Sequence, residues 1–143
     1  MIFSSTFEIE IPFHDIDIMY VAWHGHYLKY FELGRTGIMR EIGLDWPVVK
    51  DLGYAMPVTK VDIKYKKPLN YGVKYCVCVG IDEYEYPELK TYYSILNPEN
   101  EVVHAEGMVS QIYFSIETGS SCYSIPEVIR DIFRQAEKVI RQP

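Results

Sequence analysis

A single long helical stretch stands ahead of an almost unbroken strand-patterned half, and this imbalance limits the folds open to the chain. Tyr27, Tyr30, Phe31, Gly34, Ile38 and Ile42 recur at helical spacing, so a helix is expected from about Gly25 to Ile42, stopped by Gly43. Gly34 and Gly37 inside it each cost about 1 kcal/mol relative to alanine, which fits a backbone pressed against something flat. Trp46-Pro47 opens a short helical turn that ends near Gly53. From Tyr54 to Ile116 the period is that of strands. Val61, Ile63 and Tyr65 alternate with Lys60, Asp62, Lys64 and Lys66; Val73 to Ile81 alternates in the same way. Leu89 to Leu96 follows a turn containing Pro87, and Asn97-Pro98-Glu99-Asn100 is a strong turn signal. Val102 to Ile116 is long enough to hold a bulge at Gly107. Ahead of the helix, Phe7, Ile9, Ile11 and Phe13 mark a first strand over about Thr6 to Phe13. Behind the strands come a loop at Thr118 to Ser121 and a last helix, with Pro126 in its first turn. The order is strand, long helix, four strands, terminal helix. Four consecutive strands favour an antiparallel meander, which makes this an α+β chain.

The 143 residues read as one domain, 1–143. A net charge of −6 argues against non-specific nucleic-acid binding and against an anionic membrane surface. No apolar run approaches the ~18 residues of a membrane span, and the N-terminus lacks the pattern of a signal peptide. The three cysteines show no metal-type spacing, so a reducing cytoplasm is the expected location.

Between the first strand and the helix runs His14 to Tyr27, where two carboxylates and three histidines fall on one connection. Connections held by a rigid strand and helix are where chemistry is usually placed. Read residue by residue, Asp15 and Asp17 are turn-forming and helix-capping groups. The motif adds to that reading. It runs Asp15-x-Asp17-x-Met19-Tyr20-x-Ala22-Trp23-His24-Gly25-His26-Tyr27-Leu28-Lys29-Tyr30-Phe31-Glu32. Met56-Pro57-Val58, Tyr65-x-x-Pro68-Leu69-x-Tyr71-Gly72, Tyr93-x-Ile95-x-Asn97 and Val103-x-Ala105-Glu106-Gly107 then follow in order. Together these resemble the 4-hydroxybenzoyl-CoA thioesterase family of hotdog-fold acyl thioesterases. Its pattern is Asp-x-Asp-x-(Met or Ala)-Gly-x-Val-x-His-x-x-Tyr. The likeness covers most of residues 7–116.

The resemblance implies an antiparallel five-stranded sheet wrapped around one long helix, with a terminal helix beside it. It implies that Asp17 is the catalytic carboxylate and that the backbone N–H of His24, joined by that of Gly25, polarises the thioester carbonyl. A helix start offers unpaired N–H groups and partial positive charge for this purpose. Tyr20 stands where the family pattern has glycine; it either narrows the acyl pocket or offers its hydroxyl to the substrate. Tyr27, Met56, Pro57 and Val58 are implied to line the substrate site, and Asp15 to bond backbone N–H groups in the turn. Lys60 and Lys64, with Lys66 and Lys67, form the one dense basic stretch, suited either to the phosphates of coenzyme A or to a solvated strand face.

No metal and no redox cofactor are expected: His24 and His26 beside two aspartates lack a further cluster with ligand spacing, and His104 lies alone on a strand. The expected activity is hydrolysis of an acyl-CoA or acyl-carrier-protein thioester to a carboxylic acid and a free thiol. The rival readings are a hotdog hydroxyacyl dehydratase, whose histidine-phenylalanine-proline signature is absent, and a non-catalytic acyl-thioester-binding module. Apolar groups on both faces of the strands, together with the resemblance, give a homodimer or a tetramer with each site at the seam between subunits.

Overall fold

The computed structural model describes residues 1–142. Strand β1, Phe3–Glu10, comes first; two 3₁₀ turns at Phe13–Asp15 and His24–His26 lead into helix α1, Tyr27–Ile42. A short helix α2, Trp46–Asp51, precedes β2, Tyr54–Ala55, and β3, Val58–Tyr65. Then come β4, Lys74–Ile81, β5, Glu88–Leu96, and β6, Val103–Ile112. The chain closes with β7, Phe114–Ser115, β8, Ser120–Ser121, and helix α3, Glu127–Arg141. Five strands form one antiparallel sheet in the order β1-β4-β5-β6-β3, and β2, β7 and β8 form a small second sheet. The large sheet curls around α1, which is the hotdog architecture that the motif implied.

Several expectations change in detail. The first strand lies earlier than expected because Pro12 has no N–H for the ladder, and Phe13–Asp15 turns instead. Only β4, β5 and β6 form a meander; β3 crosses to the far edge and pairs with β6. Local period reports that a strand exists and not which strand it pairs with. The register runs straight through Gly107, and the irregularities lie at Val58/Lys60 and Ile95/Leu96. Gly107 has another use: a Cβ there would come 2.3 Å from the Phe31 ring, which stacks on Tyr93 at 4.7 Å. The last long strand stops at Ile112, and Phe114–Ser115 pairs with Tyr54–Ala55. Ser120–Ser121, expected as loop, pairs with β7.

Alternation along the strands gives the sheet two faces. Phe7, Val77, Ile95, Ala105 and Tyr65 share a row facing α1, and Thr6, Cys78, Ser94, Glu106 and Lys64 share a row on the outer face. Helix α1 presses closely on the inner face: a Cβ at Gly37 would come 2.3 Å from the Phe7 ring. The helix ends where Gly43 turns left-handed at φ 98° and returns its N–H to Met39 and Arg40. Helix α3 buries Ile129 and Phe133, with Phe133 stacked on Tyr84 at 4.8 Å and packed against Phe3. No helix among the described residues is long and apolar enough to cross a membrane.

Candidate active site

The connection from β1 to α1 folds as a miniature hairpin. Ile16 pairs with Ala22 as an antiparallel bridge, the Asp17 N–H donates to the Val21 carbonyl at 2.9 Å, and the Trp23 N–H donates to the Asp15 carbonyl at 3.0 Å. At its tip the Tyr20 N–H donates to the Asp17 carbonyl at 3.0 Å. The Met19 N–H donates to Asp17 Oδ1 at 2.8 Å, an aspartate turn that fixes the carboxylate. Asp17 Oδ2 has no hydrogen-bond partner among the described residues. Closing this tip requires a left-handed residue, and Tyr20 supplies it at φ 62°. That conformation costs a non-glycine residue about 1–2 kcal/mol, which gives a physical reason for the glycine in the family pattern. The Tyr20 side chain stands 82% exposed at the hairpin tip.

The base of the hairpin is tied to α1 by Asp15. Its carboxylate accepts from Lys29 Nζ and from the Tyr30 hydroxyl, each at 2.8 Å. His14 and His26 stand 3.6 and 3.8 Å away. Burial alone would push this carboxyl up, but the Lys29 and Tyr30 bonds and the nearby His26 outweigh it and hold it below the usual carboxylate range. Burial and the same Asp15 push the Tyr30 hydroxyl up. Asp15 was expected to bond backbone N–H groups; its side-chain partners come instead from the first turn of α1.

At the helix start, His24–His26 forms one 3₁₀ turn before α1 begins, two residues later than expected. The His26 N–H donates to the Trp23 carbonyl at 2.9 Å, and the N–H groups of His24 and Gly25 have no partner among the described residues. The Trp23 indole lies over Gly25, where a Cβ would come 2.1 Å from it. The space that Gly25 leaves is therefore filled by Trp23. The Tyr27 ring lies 4.8 Å from that of Tyr65. Burial pushes the Tyr27 hydroxyl up, against a bond from the Leu69 backbone, and the charges of Tyr65, Tyr75 and Asp17 add to the rise.

Asp17, Tyr20, His24 and Gly25 thus lie on one connection, and Tyr27 opens the helix to which it leads. It places the other expected site residues elsewhere within the single chain. Met56 and Pro57 line a shallow depression with Trp46, Ala55 and Phe114, and their carbonyls accept from Gln111 and Ile112. Val58 begins β3, whereas Tyr65 at its other end is the residue beside His24, about 23 Å away along the strand. Lys60 and Lys64 lie on the outer face of the sheet, opposite α1, and Lys66 pairs with Glu106 at 3.0 Å. Sequence reasoning missed Trp23, Lys29, Tyr30 and Tyr65 as parts of the site. Helical spacing from His26 puts Lys29 and Tyr30 on one turn, but nothing local links them to Asp15. Among the described residues, no group of three or more His, Cys, Asp or Glu side chains is gathered where it could hold a metal.

A curled antiparallel sheet around one long helix defines the hotdog fold, and the connection into that helix carries a carboxylate with a free oxygen and two unpartnered N–H groups. The chain belongs to the thioesterase-like superfamily, whose profile matches residues 11–133, and its class of enzyme is thioester hydrolase. It is similar to YneP of Bacillus subtilis, assigned by name to the acyl-CoA thioesterases, with 34% identity over 66% of this chain and 69% of that protein. Among solved structures it is similar to a DHNA-CoA thioesterase from Staphylococcus aureus, with 25% identity, a TM-score of 0.82, and 96% of this chain and 91% of that one covered. The hypothetical protein SAV2348 of Staphylococcus aureus, solved in complex with CoA, shares the fold at 18% identity and a TM-score of 0.81, over 96% of this chain and 85% of that one.

Proposed function

We propose that the protein hydrolyses an acyl-CoA thioester to a carboxylic acid and coenzyme A, with Asp17 as the reacting carboxylate. The observation that carries this reading is the pairing, on one short connection, of a carboxylate with a free oxygen and two unpartnered N–H groups at a helix start. The Asp17 oxygen takes a proton from the attacking water, or itself attacks the acyl carbon; both routes need the same placement. The carbonyl oxygen becomes negative as the tetrahedral species forms and accepts from the N–H groups of His24 and Gly25. Collapse breaks the C–S bond and expels the thiolate, a good leaving group that needs no strong acid; on the base route the proton held by Asp17 passes to the thiolate or to solvent, and on the nucleophilic route a water then cleaves the acyl–Asp17 anhydride to release the carboxylic acid and restore the carboxylate. Tyr20 and Tyr27 flank the acyl group. The names of YneP and of the Staphylococcus aureus enzyme support coenzyme A as the carrier.

The single chain lacks a wall for this site, and an edge pairing would supply one. Strand β3 is an exposed edge, with Val58, Val61 and Tyr65 partly open to solvent. Antiparallel pairing of two β3 strands brings the Val58 end of one subunit to the Tyr65 end of the other. Met56, Pro57 and Val58 of a second subunit then stand beside Asp17. Lys60 and Lys64 remain on the outer face, where they meet substrate phosphates only if the carrier wraps around the seam.

The test is a panel of benzoyl-CoA, hexanoyl-CoA and hexanoyl-carrier-protein, with released thiol as the readout. Release from the coenzyme A esters is the expected result. Release from the carrier protein alone replaces the carrier, and binding of every ester without release makes the protein a non-catalytic module.

A further inference from the structure

One polar contact at the site has no part in the reaction as proposed. The hydroxyl of Tyr65, the last residue of β3, donates to the His24 carbonyl at 2.9 Å. That carbonyl and the Gly25 N–H are two ends of one planar peptide unit, and in a trans peptide they point in opposite directions. Whatever holds the oxygen therefore aims the hydrogen. The unit before it is held in the same way: its Trp23 carbonyl accepts from the His26 N–H at 2.9 Å, and its own N–H is that of His24. So each unpartnered N–H is aimed by a bond on the far side of its peptide. One of those bonds comes from the turn itself and the other from a strand at the edge of the sheet. A hydrogen bond to a carbonyl also polarises the amide and strengthens its N–H as a donor, by about 10–30% per bond.

The rest of Tyr65 is accounted for by packing. Its ring lies against Tyr27 at 4.8 Å and near His24 at 6.1 Å, and the residue is about half exposed. Its hydroxyl therefore had water as an alternative partner, so burial does not force this bond. We infer that Tyr65 is a positioning residue for thioester hydrolysis: it orients and polarises the Gly25 N–H that receives the developing oxyanion. This rests on the reading of Asp17 and the helix start as the thioesterase site.

Tyr65→Phe keeps the ring and removes only the hydroxyl. Losing an oxyanion donor outright costs about 10²–10³-fold in kcat, and losing the bond that aims one must cost less, so the expected fall is about 5–20-fold. KM stays within about twofold and the thermal midpoint is unchanged, since the ring that packs on Tyr27 is kept and a half-exposed hydroxyl adds little to the fold. A purely structural tyrosine gives the reverse: a lower midpoint and an unchanged kcat.

A second readout does not depend on turnover. Benzoyl-CoA bound to Asp17→Asn should show its thioester carbonyl stretch at lower frequency than in water, and adding Tyr65→Phe should reverse part of that shift. A kcat within twofold of the parent, or a carbonyl stretch unmoved by Tyr65→Phe, overturns the inference. A parent that hydrolyses no thioester overturns the functional reading and this inference with it; an active parent indifferent to Tyr65→Phe removes this inference alone.

Discussion

Three residues of the hairpin carry separable loads. Asp17 is held by one backbone N–H and keeps one oxygen free, so Asp17→Asn should leave the fold intact and lower turnover by about 10²–10⁴-fold. Equal rates for variant and parent in a thiol-release assay would end its role. Asp15 does a different job, and pH exposes it. Its folded pKa lies below its ordinary value, so its contribution to stability is complete above that value and is lost as pH falls through the depressed one. Its carboxylate is out of contact with solvent but only just beneath the surface, and Lys29 is half exposed. Asp15→Asn should therefore cost about 1–3 kcal/mol at pH 7 rather than the larger cost of a deeply buried pair. Urea midpoints of parent and variant should converge as pH drops below the ordinary aspartate value; a gap that persists in acid would contradict this. Tyr20 is held at φ 62° at a conformational cost. Tyr20→Gly removes about 1–2 kcal/mol of strain and adds about 0.5–1 kcal/mol of chain entropy cost, so the variant should be at least as stable as the parent. If the phenol contacts the acyl group, kcat/KM should fall while the urea midpoint holds or rises.

The elements differ in how well their sequences announced them. Helix α1 was legible because its spacing, its internal glycines and the stop at Gly43 all agreed, and only its first turn was read two residues early. The five strands were legible as strands, since each alternates. The place of β3 at the far edge was not, because pairing is decided by which neighbour completes the sheet over α1, a tertiary matter. The site divides in the same way. Asp17, His24 and Gly25 are proposed through a motif within one connection, whereas Tyr65 reaches the His24 carbonyl from a distant strand. A local glycine can also have a long-range cause: Gly107 looked like a bulge and is instead the floor beneath Phe31. Gly107→Val should destabilise by at least about 1–3 kcal/mol, because the Asp62 carbonyl of β3 and the Phe31–Tyr93 stack leave the new side chain no room. A thermal midpoint equal to that of the parent would show that Phe31 can move aside.

At the scale of the whole molecule, the exposed edge of β3 supports the proposed pairing of two subunits. Sedimentation at micromolar concentration should find a two-fold dimer or a pair of such dimers. A compact monomer with full activity would refute shared sites. Mixed dimers provide the finer check: Asp17→Asn subunits combined with subunits blocked between Met56 and Val58 should regain activity, since one of the two sites at the seam then has both halves intact. No recovery, with mixed dimers shown to form, would mean that each subunit works alone. The crossing of β3 has a further consequence, for the order in which the chain can fold as it is made. Tyr65 pairs with Ala105, so at a synthesis rate of ~5–20 residues per second β3 waits ~2–8 s for its partner to emerge. Helix α1 is complete long before then, but the sheet that covers it closes last, on a strand that has already left the ribosome. During that interval Val58, Val61 and Ile63 have no ladder to join, and the lysines and aspartate between them keep the waiting strand dispersed in water.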